Sequence, residues 1–361
     1  MGHPRGTEHA SLKPWTSDGH LWRQVVREHG LWASLLATHA SVGWIATLSG
    51  VAPVTSRGLV HPSTIGYFLK LLGSVAYLLL PLLIWARFKV RDQNGQRIPG
   101  WAGYAEALRQ ARPKLKSGAV GAVIAAALIV LTFATHDAWK ATIGILEPYT
   151  WDPTLRLADR FLHGGVDTWR WLSWFATPTR TRWIDLSYAS WYALLATGLS
   201  WQCINPNRRQ RTRFFVAFAL TIVVLGTMIA HLMASGGPVF YGGLVPGTDP
   251  FADLRKQLLA LHQQIPLTAV YLEQAVWDNH VSGARAFWIA MSAMPSIHVA
   301  MPALFGLALW AQSRMLSLAA WAYTLVILVG SVHLGWHYAL DGYVAVIGTA
   351  ALWQVASWAV R

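Results

Sequence analysis

Long apolar runs alternate with short polar segments along this chain, and many of the short segments are basic. Eight runs stand out: 31–51, 64–85, 117–135, 183–204, 214–234, 295–310, 315–332 and 338–360. The longer ones hold about 20 residues, enough for a helix to cross roughly 30 Å of hydrocarbon. The second run carries one charge, Lys70, near enough to an end to snorkel. Two longer stretches, 136–182 and 235–294, are too polar to span. Apolar residues recur in them at helical spacing between charges, at 155–162, 169–174 and 251–276, as in helices that lie in the interface. Gly236-Gly237-Pro238 cannot continue the helix that precedes it. The pattern predicts an all-α polytopic membrane protein with about eight transmembrane helices and additional interfacial amphipathic helices. Residues 1–30 read as a cytoplasmic N-terminal tail ending in a short interfacial helix at 20–29, and 87–116 as a basic cytoplasmic loop.

Composition agrees. Hydrophobic residues make up 54% of the 361, and charged ones 12% against about 25% in soluble domains. The 21 Trp suit membrane–water interfaces. The net charge of +13 would fit a nucleic-acid partner, but the cations sit in short loops at 87–116, 205–213 and around Arg314. Positive loops stay on the cytoplasmic side, so nucleic acid is not expected as a partner. With the N-terminus inside, eight spans place all three loops in the cytoplasm and return the C-terminus there. Segments 52–63, 136–182 and 235–294 and the turn at 333–337 fall on the opposite, extracytoplasmic side. An integral location in the plasma (inner) membrane follows. Cys203 is the single cysteine, which excludes an intrachain disulfide and a multi-cysteine metal site.

Two polar clusters then share that extracytoplasmic side: Pro295-Ser296-Ile297-His298 and, about forty residues later, Ser331-Val332-His333-Leu334-Gly335-Trp336-His337-Tyr338-Ala339-Leu340-Asp341. Titratable groups at the ends of spans are expensive in lipid and mark functional sites. Pro295 suits the first turn of a helix. Ser296 and His298 would then lie beside free N–H groups, a ready anion site. His337 and Asp341 are four apart, on one face if helical. A carboxylate on one imidazole nitrogen fixes the tautomer and makes the other nitrogen more basic. One histidine can attack phosphorus while the other protonates the leaving oxygen. Three other uses of these residues stay open: a polar network that pins helices, a metal site with His333, and a relay in a transporter or scramblase.

The pairing P-S-x-H … G-x-H-x3-D resembles the type-2 phosphatidic acid phosphatase superfamily of membrane phosphatases and phosphotransferases. The resemblance implies His337 as nucleophile, Asp341 as its orienter, His298 as general acid and Ser296 as a phosphate contact. It also implies a six-helix catalytic domain over 117–361, with two accessory transmembrane helices at 31–86. No cofactor and no metal are implied.

Two departures matter. The K-x6-R-P motif of the phosphatases is missing: Arg112-Pro113 lies in the basic loop with Ala105 at the lysine position. Ser331 stands where phosphatases carry arginine, six residues before His337. Loss of both cations is similar to the inositol-phosphorylceramide-synthase-like, aureobasidin-resistance type branch, as are Gly236–Tyr241 and Trp151-Asp152-Pro153. Ser331, His333, Arg285, His231, Gly237 and Tyr241 are therefore candidates to bind phosphate or head group. The expected substrates are a phospholipid or polyprenyl phosphate and an alcohol acceptor. A lipid-phosphate or polyprenyl-pyrophosphate phosphatase built on the same residues is the alternative.

Overall fold

The computed structural model describes residues 16–49, 96, 98, 100–283 and 290–361. The expected span at 64–85 and Arg285 lie outside them. Among the described residues all regular structure is helical, with no strand. The main helices are α1 (Thr16–Leu48), α2 (Gly100–Lys140), α3 (Asp152–Leu162), α4 (Pro178–Ala189), α5 (Trp191–Ile204) and α6 (Arg208–Leu220). They continue with α7 (Ala252–Gln264), α8 (Thr268–Ser282), α9 (Ile297–Leu309), α10 (Arg314–His333) and α11 (Ala339–Ala359). A π-helical stretch, Thr221–Ile229, carries α6 on to Leu232.

Five helical segments among the described residues are long and apolar enough to cross a membrane: Val25–Leu48, Val120–Lys140, Arg208–Leu232, Arg314–His333 and Ala339–Ala359. Ile297–Leu309 is apolar but shorter. Three expectations change here. The run at 183–204 is not one helix: it breaks between α4 and α5 at Ser190, whose hydroxyl folds back on the Ser187 carbonyl at 2.7 Å. The same hydroxyl lies 2.7 Å from that of Tyr323, a contact between distant parts of the chain that hydropathy does not register. Residues 100–116, read as loop, are the first part of α2. The mixed-charge segment before Leu31 is the first part of α1, which starts at Thr16. Its Glu28 is buried and ion-paired to Arg208 at 3.2 Å and to Arg211, so charge there does not argue against order.

The long α1 packs against α2 and α6. Its Trp32 is fully buried, donates Nε1–H to Thr132 Oγ1 at 3.2 Å and stacks on Phe215 at 4.5 Å. Lipid is as apolar as the core, so Trp32 contributes through packing and the hydrogen bond rather than through removal from water. Trp32→Ala is expected to cost about 3–5 kcal/mol, with cavity formation the main term. Denaturant titration of the detergent-solubilised protein checks this; an unchanged midpoint would mean α1 is dispensable to the bundle.

Helix α9 runs through the middle, packed by α6, α10 and α11, with Val299 to Leu304 all buried. A second apolar cluster roofs the α10–α11 turn: Leu155, Trp169, Phe240, Tyr241, Phe251, Leu254 and Leu258 come from the two long non-spanning segments. Helix α3 buries Leu155 and Asp159 there and turns Leu157 and Phe161 outward, as a helix at a lipid surface does. Trp171 and Trp174 are exposed on the neighbouring 3-10 helix, Thr168–Phe175.

Candidate active site

Both polar clusters meet at one end of the bundle. Helix α10 ends at His333 and the chain turns through Gly335, at φ +74°, into α11. Trp336 N–H and His337 N–H donate to the Ser331 carbonyl at 2.9 and 3.3 Å, which fixes the turn. Tyr338 is the N-cap of α11 and Asp341 its third residue. Asp341 Oδ2 accepts from Tyr338 N–H at 3.0 Å and lies 3.3 Å from His337 Nδ1. The His337–Asp341 pair therefore forms, but through the helix cap, with His337 outside the helix. Nδ1 on the carboxylate leaves Nε2 as the reactive nitrogen.

Helix α9 brings the other half. Ser296 is its N-cap and Pro295 precedes it, outside the first turn where the sequence suggested it. Ser296 N–H donates to the Asp341 backbone carbonyl at 3.2 Å, which ties the two motifs directly. Ser296 Oγ and Asp341 Oδ1 are both buried and without a hydrogen-bond partner among the described residues. One is an open donor beside a helix N-terminus, suited to a phosphate oxygen. The His298 ring lies 6.3 Å, centre to centre, from that of His337. It is held between Tyr188, stacked at 5.0 Å, and Trp191 at 4.4 Å, from the α4–α5 break. A phosphorus between the two imidazoles could be attacked from one side while its leaving oxygen is protonated from the other.

The remaining candidates take other places. Ser331 is fully buried and its hydroxyl donates to the Leu328 carbonyl at 2.8 Å, within its own helix. His333 is buried, with Nε2 3.0 Å from Thr181 Oγ1. Among the described residues no three His, Cys, Asp or Glu side chains converge as metal ligands. His231 closes on Thr227 and Thr142 at the end of α6. Tyr241 is buried against Phe251 in the roof. Gly237, at φ +96°, faces the α10–α11 turn: a Cβ there would lie 2.5 Å from the Trp336 carbonyl oxygen. Only glycine lets that loop press on the residue before His337.

Asp152 is a residue that the spacing arguments did not single out. It is fully buried and accepts three hydrogens: Gly236 N–H at 2.8 Å, Gly237 N–H at 2.9 Å and Tyr338 O–H at 2.8 Å. It thereby clamps the glycine loop to the N-cap of α11. Burial raises its carboxyl from 3.8 to about 6, while these three donors pull the other way. Burial also pushes the Tyr338 hydroxyl well above its usual 10, so it remains a donor. Asp159 makes a parallel tie, accepting from Leu340 N–H at 2.9 Å. The Trp-Asp-Pro signal was visible, with Pro153 in the first turn of α3, but not the carboxylate's partners more than eighty residues away.

No curated protein and no solved structure matches the chain. A family model does, over residues 153–356, more than half of the chain and inclusive of both motifs and the clamp's target loop. Members of that family are phosphatases or phosphotransferases, typically of lipids, so a catalytic role for a pair of imidazoles at a membrane surface agrees with it. The chain belongs to the PAP2 superfamily.

Proposed function

We propose that this protein is a membrane lipid phosphotransferase. It moves a phospho-head group of the inositol-phosphate type between lipids, through a phosphohistidine at an extracytoplasmic site. The observation that carries this assignment is the His337 ring, oriented by Asp341 at 3.3 Å and opposed by His298 at 6.3 Å. His337 Nε2 attacks phosphorus, the P–O bond to the lipid alcohol breaks, and His298 gives its proton to the departing oxygen. The acceptor hydroxyl then attacks the phosphohistidine, returns its proton to His298, and releases His337 as the P–N bond breaks. Every proton and bond is restored after one cycle.

Transfer is preferred to hydrolysis on charge. Where phosphatases of the resemblance carry arginine, Ser331 turns its hydroxyl into its own helix. A site with less fixed positive charge matches a phosphodiester, with one negative charge, better than a phosphomonoester with up to two. The extracytoplasmic side rests on the cations at the opposite helix ends: Arg208, Arg209, Arg211 and Arg213 open α6, and Arg314 opens α10.

Purified protein given phosphatidylinositol and a long-chain alcohol should yield the transferred phosphodiester by mass spectrometry. If water is the only acceptor, a lipid phosphatase replaces this assignment.

The Asp152 clamp adds a pH signature. A protonated carboxyl holds these three hydrogens more weakly than a carboxylate and adds an O–H of its own, so turnover should fall as the pH drops through about 6. Asp152→Asn should lose that acid limb and run more slowly at pH 7–8, by roughly tenfold for one disrupted charge-assisted bond. Stability has the opposite sign. A carboxyl raised by folding costs stability on ionising, and this cost grows as the pH rises from 3.8 through about 6. A variant that keeps the acid limb would remove Asp152 from this role.

A further inference from the structure

A phosphate between the two imidazoles needs hydrogen-bond donors for its non-bridging oxygens. Ser296 Oγ is one, buried and without a partner among the described residues. A second stands beside His298. Trp191 is 5% exposed, and its Nε1 is likewise buried with no partner among the described residues. An indole N–H can only donate, and a buried tryptophan ordinarily finds an acceptor for it. Left unpaired, it carries a desolvation cost that an arriving acceptor removes.

The acceptors of the site itself do not meet this N–H. Asp341 Oδ1 is buried and also without a partner. The His298 imidazole meets the indole ring at 4.4 Å, centre to centre and tilted by 41°, with no hydrogen bond to Nε1. The chain fixes the ring in that place. Trp191 opens α5 directly after the break at Ser190, and Tyr323 of α10 donates to the Ser187 carbonyl at 2.9 Å, which pins the break to α10. Tyr192 meets Trp191 edge-on at 5.2 Å. An indole is only a few ångströms across, so its N–H lies within the span of one phosphate from His298. Trp169 shows what an unpaired indole lacks elsewhere. Its Nε1 is also buried and unpartnered, but its ring lies in the roof, under the Arg170 guanidinium. Of the two, Trp191 adjoins a histidine of the motifs. A ring needed there for packing alone would be served by phenylalanine, which has no polar atom to strand.

We propose that Trp191 is a phosphate-binding residue of the catalytic centre, its indole N–H donating to a non-bridging oxygen of the phosphate held between His298 and His337. This role rests on the phosphorus lying between those two rings, as the proposed function has it. It also fits the low fixed charge of the site, where Ser331 replaces arginine and turns its hydroxyl into its own helix. Trp191 and Ser296 bind oxygen without adding charge, which suits a phosphodiester better than a doubly charged monoester.

Binding of orthovanadate, a phosphate-shaped oxyanion, tests the donor without requiring turnover. Full-length protein in detergent would be titrated calorimetrically. Benzothienylalanine in place of Trp191 keeps the fused ring and its contact with His298 but puts sulfur where the N–H was. It should weaken vanadate binding by about tenfold or more, the value of a lost hydrogen bond to a charged group. Trp191→Phe should lose at least as much. Trp310→Phe, which alters a half-exposed indole at the C-cap of α9, should leave binding unchanged. Wild-type affinity in the benzothienylalanine protein would overturn the donor role, as would an equal loss in Trp310→Phe, or no vanadate binding by wild type. A second measurement does not depend on affinity. In wild type carrying isotope-labelled tryptophan, the indole N–H signal missing from the benzothienylalanine protein should move downfield as vanadate is added; a signal that stays in place would equally remove Trp191 from the phosphate. Vanadate binding that depends on this N–H, in a protein that transfers only to water, would support the donor while removing the phosphotransferase assignment. Head-group transfer by a protein whose vanadate binding ignores the N–H would remove the donor alone.

Discussion

His337→Ala is expected to abolish turnover with every acceptor, water included, by a factor of about 10^4 to 10^6. The reason is chemical rather than structural. The His337 ring has one nitrogen on Asp341, and the other is the group proposed to form a bond to phosphorus. Alanine removes the attacking atom, and Ser296, His298 and the helix N-terminus cannot replace it. Backbone order should survive, since His337 N–H and Trp336 N–H hold the Ser331 carbonyl whatever the side chain. The lost ring does leave Asp341 Oδ2 with the Tyr338 N–H alone, at a cost of about 1–3 kcal/mol. His337→Asn, which can still donate to that carboxylate, is therefore the companion variant. Both should fail to form the acid-labile phosphoenzyme that wild type forms when donor is supplied without acceptor. Undiminished turnover in a folded His337→Ala protein would sink the proposed nucleophile and, with it, the phosphohistidine route.

The two motifs could be read from the sequence because their polar groups interrupt apolar runs, where a chance aspartate or histidine is costly. Their pairing could be read because hydropathy and loop charge put both on one side. Geometry was less accessible. The four-residue spacing of His337 and Asp341 suggested a shared helix face, yet α11 begins at Ala339 and the bond arises from the cap at Tyr338. Pro295 suggested a helix start and lies one residue before the N-cap. Residues that act through distant contacts gave no periodic signal. Asp152 meets Tyr338 across 186 positions, and Tyr188 and Trp191 meet His298 across more than a hundred. The charge-rich segment at 16–30 looked like a tail because its charge is met on another helix, as Glu28 is by Arg208 and Arg211.

Replacing His298 separates proton transfer from simple packing. If His298 protonates the departing oxygen, His298→Gln should slow transfer from a diacylglycerol-linked donor by about 10^2 to 10^4. An alkoxide is a poor leaving group and needs that proton. A nitrophenyl ester of the same inositol phosphate releases a stable phenolate and does not. With that donor, His298→Gln should still release nitrophenol at close to the wild-type rate, once per site. Turnover should then stall, because the acceptor hydroxyl no longer finds a base, and phosphoenzyme should accumulate. The outcome differs if the ring only fills the space between Tyr188 and Trp191. A packing defect would misplace His337 and its phosphorus whatever the leaving group, so both donors would slow equally and no phosphoenzyme would build up. Rapid-quench measurement of nitrophenol and of protein-bound phosphate distinguishes the two, and equal slowing would remove His298 from acid–base chemistry while leaving His337 in place as the attacking group.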